Sequence, residues 1–231
     1  MSLDIVPVLL WALVALLIVG LALLWFLAGR ACELDWGRYW MNHLDGLNRI
    51  FCCRYHRLRG DRIKLPEKGP AILVANHISG LDPLLMFAAS RRKLRFLIAT
   101  EQYYRFGLQW LFRAVGCIPV DRKGRPERAF RDALRALKEG DVVALFPHGK
   151  IHLDSDPPRH LKPGAIRLAQ MADCPVYPVR IEGVRARGKI FRPVILRARA
   201  HLYNRPVLDC GGLAPRECLQ QLEPLLAPPE K

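Results

Sequence analysis

The segment NHISGLDPLL, Asn76 to Leu85, sets a histidine and an aspartate five positions apart. A carboxylate bonded to one imidazole nitrogen fixes the ring tautomer. It also stabilises the imidazolium formed when the other nitrogen takes a proton. In hydrolytic triads the proton comes from a side-chain nucleophile. No G-x-S-x-G elbow occurs in the chain, which counts against a lipid hydrolase, and a substrate hydroxyl can take the place of the side-chain nucleophile. His77 is then a candidate general base and Asp82 its orienter. The pair alone is a weak signal. The chain has 7 histidines, and Asp is about one residue in twenty in average proteins.

What surrounds the pair sharpens it. The apolar run AILVAN, Ala71 to Asn76, reads as a strand, and Pro83 falls where a helix can begin. His77 to Asp82 is therefore a strand-to-helix loop, the place where α/β folds build ligand sites. Further strands are expected at Leu94–Thr100, Cys117–Val120, Asp141–Pro147 and Pro175–Ile181. Ala129, Phe130, Ala133, Leu134 and Leu137 form a helical stripe, with Pro126 near its start and Gly140 just past its end. Val194, Leu196, Ala198, Ala200 and Leu202 alternate with Arg197, Arg199 and His201, which predicts a strand with one wet face. Strands interleaved with helices give an α/β layer fold: a mixed, largely parallel sheet flanked by helices. No internal repeat is present.

The string Asn-His-x-Ser-x-x-Asp, at Asn76, His77, Ser79 and Asp82, resembles the signature of the lysophosphatidic acid acyltransferase family, the HxxxxD glycerolipid acyltransferases. GCIPVDR, Gly116 to Arg122, resembles that family's second motif, which assigns Arg122 to the acceptor phosphate. FPHGKI, Phe146 to Ile151, falls where the family reads Phe-Pro-Glu-Gly-Thr-Arg. His148, Lys150 and Ile151 stand at the Glu, Thr and Arg positions, while Gly149 matches. CPVYPVRI resembles the last motif, with Pro178 at its proline, and LKPGAIRLA, Leu161 to Ala169, fits the pattern before it. The resemblance covers roughly Arg54 to Leu208. It implies a glycerolipid acyltransferase-like fold and an acyl transfer. A lysophospholipid hydroxyl, deprotonated by His77, attacks the thioester of acyl-CoA or acyl-carrier protein. It further implies a substrate-binding set of Asn76, Ser79, Arg122, His148, Gly149, Lys150 and Pro178. Neither metal nor cofactor is required beyond the thioester co-substrate. His148 can donate a hydrogen bond where an ionised Glu only accepts, so an acceptor other than plain lysophosphatidic acid, including a lyso-aminolipid, stays open. So does a transacylase needing no CoA.

Composition agrees with such a substrate class. The 231 residues carry 36 Lys+Arg against 21 Asp+Glu, a formal net charge of +15, so the partner is anionic. From Ile5 to Gly29 there is no charged residue, and about 20 apolar residues suffice to span a bilayer. The basic residues all follow this run. Arg30, Arg38 and Arg49 thus hold its C-terminal side in the cytoplasm by the positive-inside rule. Trp36, Trp40, Leu44, Leu47 and Phe51 recur at spacings of three and four, giving a helix face suited to the membrane interface or to docking on the domain. The expected organisation is a single-pass anchor over 1–30 and an interfacial amphipathic helix or linker over 31–53. An acyltransferase domain over 54–210 follows, then a C-terminal helix and loose tail over 211–231. Seven cysteines without a CxxC pair indicate neither a disulfide framework nor a zinc site, and reduced thiols are expected. His152 and His160 flank LDSDPP without a metal-ligand spacing. The clusters Arg91-Arg92-Lys93 and Arg185 to Arg192 read as faces toward anionic lipid or CoA. A non-catalytic membrane-tethered lipid or nucleic-acid binder would share the charge and the anchor. It leaves the His77–Asp82 loop and the order of the motifs unexplained, and the chain carries no aromatic-and-basic RNA-binding signature. Nucleic acid is therefore not an expected partner.

Overall fold

The computed structural model describes residues 5–122, 124 and 126–228. Asp4 and the last three residues of the expected tail lie outside the described residues. The chain divides into two compact units, Met1–Phe51 and Cys52–Lys231. The expected anchor and amphipathic helix thus belong to one unit, and the C-terminal helix belongs with the domain.

The first unit holds α1 (Ile5–Ala31) and α2 (Tyr39–Ile50). α1 is apolar all round, with a mean hydropathy of 2.8 over its most apolar window, none of it buried. At about 1.5 Å per residue it exceeds the roughly 30 Å of a hydrocarbon core. α2 packs on α1 by a face other than the apolar stripe. Met41, His43, Asp45, Gly46 and Arg49 are the buried residues, whereas Trp40, Leu44 and Leu47 are only partly covered. Gly46 explains the choice: a Cβ there would stand 1.7 Å from the Ala28 carbonyl oxygen, so only glycine permits this approach. The polar groups brought in with it satisfy one another. Arg49 pairs with Asp45 at 2.7 Å and with Glu33 at 3.3 Å, and His43 stacks on Trp25.

The second unit is a six-stranded sheet in the order β3-β2-β4-β1-β5-β6. Its elements run β1 (Ala71–Ala75), α3 (Asp82–Ala89), β2 (Leu94–Ala99), α4 (Thr100–Tyr103), α5 (Gln109–Val115), β3 (Ile118–Val120), α6 (Pro126–Lys138), β4 (Val142–Leu145), α7 (Gly164–Ala172), β5 (Val176–Glu182), α8 (Arg192–Ile195), β6 (His201–Asn204) and α9 (Pro215–Leu226). β1 to β5 are parallel, and β6 adds antiparallel to β5 at the edge. β1 lies fourth across the sheet and is fully buried, which is why its sequence is a continuous apolar run rather than an alternation. On one face α6, α7 and α9 bury Ala133, Leu137, Ile166, Leu168 and Leu222 against Ile72, Val74 and Val143. α6 begins and ends where Pro126 and Gly140 place it, Gly140 adopting φ +85° just beyond its last turn.

Three expectations need correction. The alternating segment from Val194 is not one strand. Its first residues form α8, and sheet pairing starts only at His201. Ala198, Ala200 and Leu202 are buried and Arg197 and Arg199 exposed, as the alternation requires. The early residues nevertheless bond to Gly183 and His56 rather than to a continuous ladder. Arg92 is not a ligand-facing charge. Its guanidinium donates to the carbonyls of Pro66, Gly69 and Gly140 just before β2, at the sheet edge opposite the His77 loop. Finally, Cys210 and Cys218, both buried, are joined as a disulfide with Cα atoms 5.8 Å apart, because the turn leading into α9 folds one back on the other.

Candidate active site

Parallel strands bring their C-terminal ends to one edge, and the loops leaving β1, β3, β4 and β5 gather there. His77 follows β1, Arg122 follows β3, His148 follows β4 and Gly183 follows β5. The His77 ring stacks on Phe146 with centroids 4.0 Å apart, and its side chain is 18% exposed.

Asp82 opens α3 and is fully buried. Its Oδ2 accepts from His77 Nδ1 at 2.9 Å, from the Ile78 N–H at 2.7 Å and from the Ser79 N–H at 2.9 Å. Its Oδ1 accepts from the Ser79 hydroxyl at 2.5 Å. Four donors converge on one carboxylate at a helix N-terminus, a geometry that favours negative charge. Such a carboxylate accepts from His77, so Nδ1 carries the proton and Nε2 offers its lone pair outward. The geometry is that of a general base whose tautomer is fixed.

The neighbouring signature residues position this pair; they do not face a substrate. Asn76 is buried, with Nδ2 donating to the Ile181 carbonyl at 2.9 Å and Oδ1 accepting from the Ile181 N–H at 2.7 Å. It therefore splices the end of β1 to β5. Ser79 is buried, spent on Asp82 and on the Leu81 N–H. Pro178 is buried within β5, in register with Val74. The expected substrate contacts of Asn76, Ser79 and Pro178 are thus corrected to scaffold roles, because no polar atom of these side chains is left for a ligand. Arg122 and Lys150 differ. Both are exposed at the loop edge, with no carboxylate partner among the described residues.

The loop after β4 builds the second wall. Gly149, at φ +74°, turns the chain with its N–H on the Phe146 carbonyl, 2.9 Å away. The His152 N–H then donates to the His77 carbonyl at 2.7 Å, tying this wall to the His77 loop. His148 is partly covered and stacks on His152 at 4.5 Å, its Nδ1 buried without a hydrogen-bond partner. Burial pushes its pKa below the ordinary histidine value. Repulsion from His152, Arg159 and His77 adds to the shift, and Glu223 opposes it. His148 is therefore held toward its neutral form.

Arg180 is the residue that the sequence reading missed. It is buried in β5 and forks onto both Asp154 oxygens at 3.0 and 2.6 Å. It also bonds Glu182 at 3.1 Å and the Leu226 carbonyl at the end of α9. It clamps the wall that carries His148 and His152. An arginine inside the otherwise apolar PVYPVRI was the available signal. His160 is fully exposed beside Glu223, and the described residues contain no group of three or more His, Cys, Asp or Glu placed to hold a metal ion.

An α/β domain with a buried carboxylate orienting a loop histidine is the arrangement that general-base catalysis requires. The chain belongs to the acyltransferase family, whose family model, Acyltransferase, matches residues 57–182. It is 35% identical over 124 residues to the N-acylphosphatidylethanolamine synthase of Arabidopsis thaliana, covering 49% of this chain and 43% of that protein. It is 32% identical over 127 residues to a probable 1-acyl-sn-glycerol-3-phosphate acyltransferase of Mycoplasma genitalium, covering 52% and 47%. The chain thus spans less than half the length of these two relatives. The fold matches the crystal structure of the 1-acyl-sn-glycerophosphate acyltransferase of Thermotoga maritima with a TM-score of 0.57 at 19% identity, over 80% of this chain and 79% of that one.

Proposed function

We propose that the protein transfers a fatty acyl chain from a thioester, acyl-CoA or acyl-carrier protein, to the free hydroxyl of a lysophospholipid. The acceptor that fits most directly is 1-acyl-glycerol-3-phosphate, with phosphatidic acid as product. The observation that carries this reading is the His77 Nδ1–Asp82 contact of 2.9 Å within a four-donor carboxylate cage. His77 Nε2 takes the hydroxyl proton as the acceptor oxygen attacks the thioester carbonyl. The tetrahedral intermediate then expels the thiolate, which leaves with the proton held on His77. Asp82 stabilises the imidazolium between these steps. Arg122 and Lys150 supply positive charge on the same loop edge for the acceptor phosphate.

α1 is the membrane anchor of this scheme. It crosses the bilayer once, with the catalytic unit on the cytoplasmic side, as the basic residues following it favour. The relative named as an N-acylphosphatidylethanolamine synthase supports a second reading in which the acceptor is an amine.

The test is a matrix of donors against acceptors on the purified full chain, with lipid products identified by mass spectrometry. His77→Ala should lower turnover about 10²–10⁴-fold, the usual contribution of a general base, while the thermal transition is kept. A folded His77→Ala protein with near-normal turnover refutes the assignment. Turnover undiminished without any thioester points to a transacylase instead.

A further inference from the structure

A depression of about 390 Å³ in the second unit is lined by Arg57, Arg185, Arg197 and Arg199, together with Gly183 and Ala198. All four arginines are exposed, and among the described residues none has a carboxylate partner. By contrast, the half-exposed Arg95 on β2 is paired with Asp141 at 2.6 Å. Four uncompensated guanidinium groups around one hollow repel one another unless an anion lies between them. The backbone holds them together. The Arg199 N–H bonds the Gly183 carbonyl at 3.3 Å, and residues 56–59 lace onto Ala200 through bonds of 2.9 and 3.0 Å.

The rim identifies the anion. Ile190, Phe191 and Ile195 are 46%, 55% and 70% exposed, on the segment between Arg185 and Arg197. The Tyr55 hydroxyl donates to the Ile195 carbonyl, and His56 Nε2 lies 3.1 Å from the Val194 carbonyl, which fastens this apolar rim to the segment carrying Arg57. Arg105 extends the surface by lying over the Phe191 ring at 4.6 Å, next to the fully exposed Phe106. A soluble phosphate ligand would account for the arginines but not for large apolar side chains left in water beside them. A lipid surface accounts for both, taking headgroup phosphates between the guanidinium groups and the apolar rim at the acyl boundary. The same segment touches the catalytic loop: the Gly188 N–H bonds the Ile78 carbonyl at 2.8 Å, and the Gly80 N–H bonds the Lys189 carbonyl at 3.1 Å.

The geometry points to a docking site for an anionic phospholipid of the bilayer, its headgroup in the four-arginine depression and its chains against Ile190, Phe191 and Ile195. This deepens the lipid-acceptor reading above by naming the surface that brings the bilayer to the mouth of the His77 loop. The test uses the full chain in nanodiscs of phosphatidylcholine alone or with phosphatidylglycerol, and follows backbone hydrogen exchange over residues 187–199. Phosphatidylglycerol should slow exchange there, and added salt should reverse the effect. The double substitution Arg197→Gln/Arg199→Gln should weaken the protection about fivefold per charge removed. Ile195→Ser should weaken it with every charge intact. Equal exchange in the two lipids overturns the proposal. So does equal protection by soluble CoA in phosphatidylcholine discs, which would make the depression a donor site. Because exchange is read without turnover, loss of the acyltransferase reading and loss of this one are separate results.

Discussion

Replacing Asp82 by Asn removes the charge of the orienting group while keeping its shape. Two fixed backbone donors, the N–H groups of Ile78 and Ser79, point at the Oδ2 position. An amide NH2 cannot sit there, so the amide oxygen must. It continues to accept from His77 Nδ1, and the NH2 falls beside the Ser79 hydroxyl, which turns to accept. The tautomer therefore survives, and what is lost is the attraction between carboxylate and imidazolium. At a charge separation of roughly 4 Å and an effective dielectric constant near 20, that attraction is about 4 kcal/mol. A neutral hydrogen bond retains about 1 kcal/mol of it. The remaining ~3 kcal/mol corresponds to roughly two orders of magnitude in kcat. KM for the acceptor should hardly change, because Asp82 is fully buried and cannot touch the substrate. The assay is initial-rate acyl transfer by the detergent-solubilised full chain, with the thermal transition measured alongside. A kcat within threefold of the parent, or a loss wholly in KM, would refute the argument that an imidazolium forms beside Asp82.

Arg180→Met should destabilise the domain by about 3 kcal/mol, the low end for a broken buried ion pair, since Asp154 and Glu182 are 36% and 29% exposed and regain some water; the urea midpoint reports it. Gly80→Ala should lower turnover sharply with little change in binding of the thioester, because its Cβ would stand 2.2 Å from the Ile190 carbonyl oxygen and push that segment off the catalytic loop. An alanine variant of full activity would show that the contact is dispensable. The lowered pKa of His148 means that the unfolded chain binds more protons than the folded one below the ordinary value of 6.5. Stability is therefore greatest above that value and falls as pH drops through it toward the folded pKa. His148→Gln should flatten this acid slope in chemical denaturation, leaving the part that buried His56, shifted in the same direction, contributes.

Much of this architecture was legible because local chemistry and global packing agree. The apolar run before Asn76 had to be a strand covered on both faces, and Pro126 and Gly140 bracket α6. What was illegible depended on distant partners. Nothing near Asn76 reveals that Ile181 will occupy both ends of its amide, so a residue read as facing substrate is a splice. The stripe from Trp36 to Phe51 gave the right period but not the face that meets α1, since Gly46 decides which side of α2 approaches α1 and a glycine carries no hydrophobic signal. The alternation from Val194 gave the correct inside and outside, but alternation does not say whether a ladder partner exists. Arg180 lay in view within a motif and was passed over because its four acceptors come from three separate parts of the chain.

The order of strands across the sheet sets a timetable for folding. β1 closes only when β4 and β5 have arrived, pairing Ala71 with Val142 and Ile72 with Val176. The Asn76–Ile181 splice that seats the catalytic loop joins residues 105 apart. Loop-closure entropy must be met before such non-local pairs form, which slows a sheet of this kind. Until then the apolar β1 segment has no neighbour on either edge and is open to association with other chains. Substitutions in β5 that leave the finished site untouched should accordingly reduce the yield of active protein by delaying the moment when β1 finds its second partner. Such variants would show normal turnover per folded molecule, with fewer folded molecules formed.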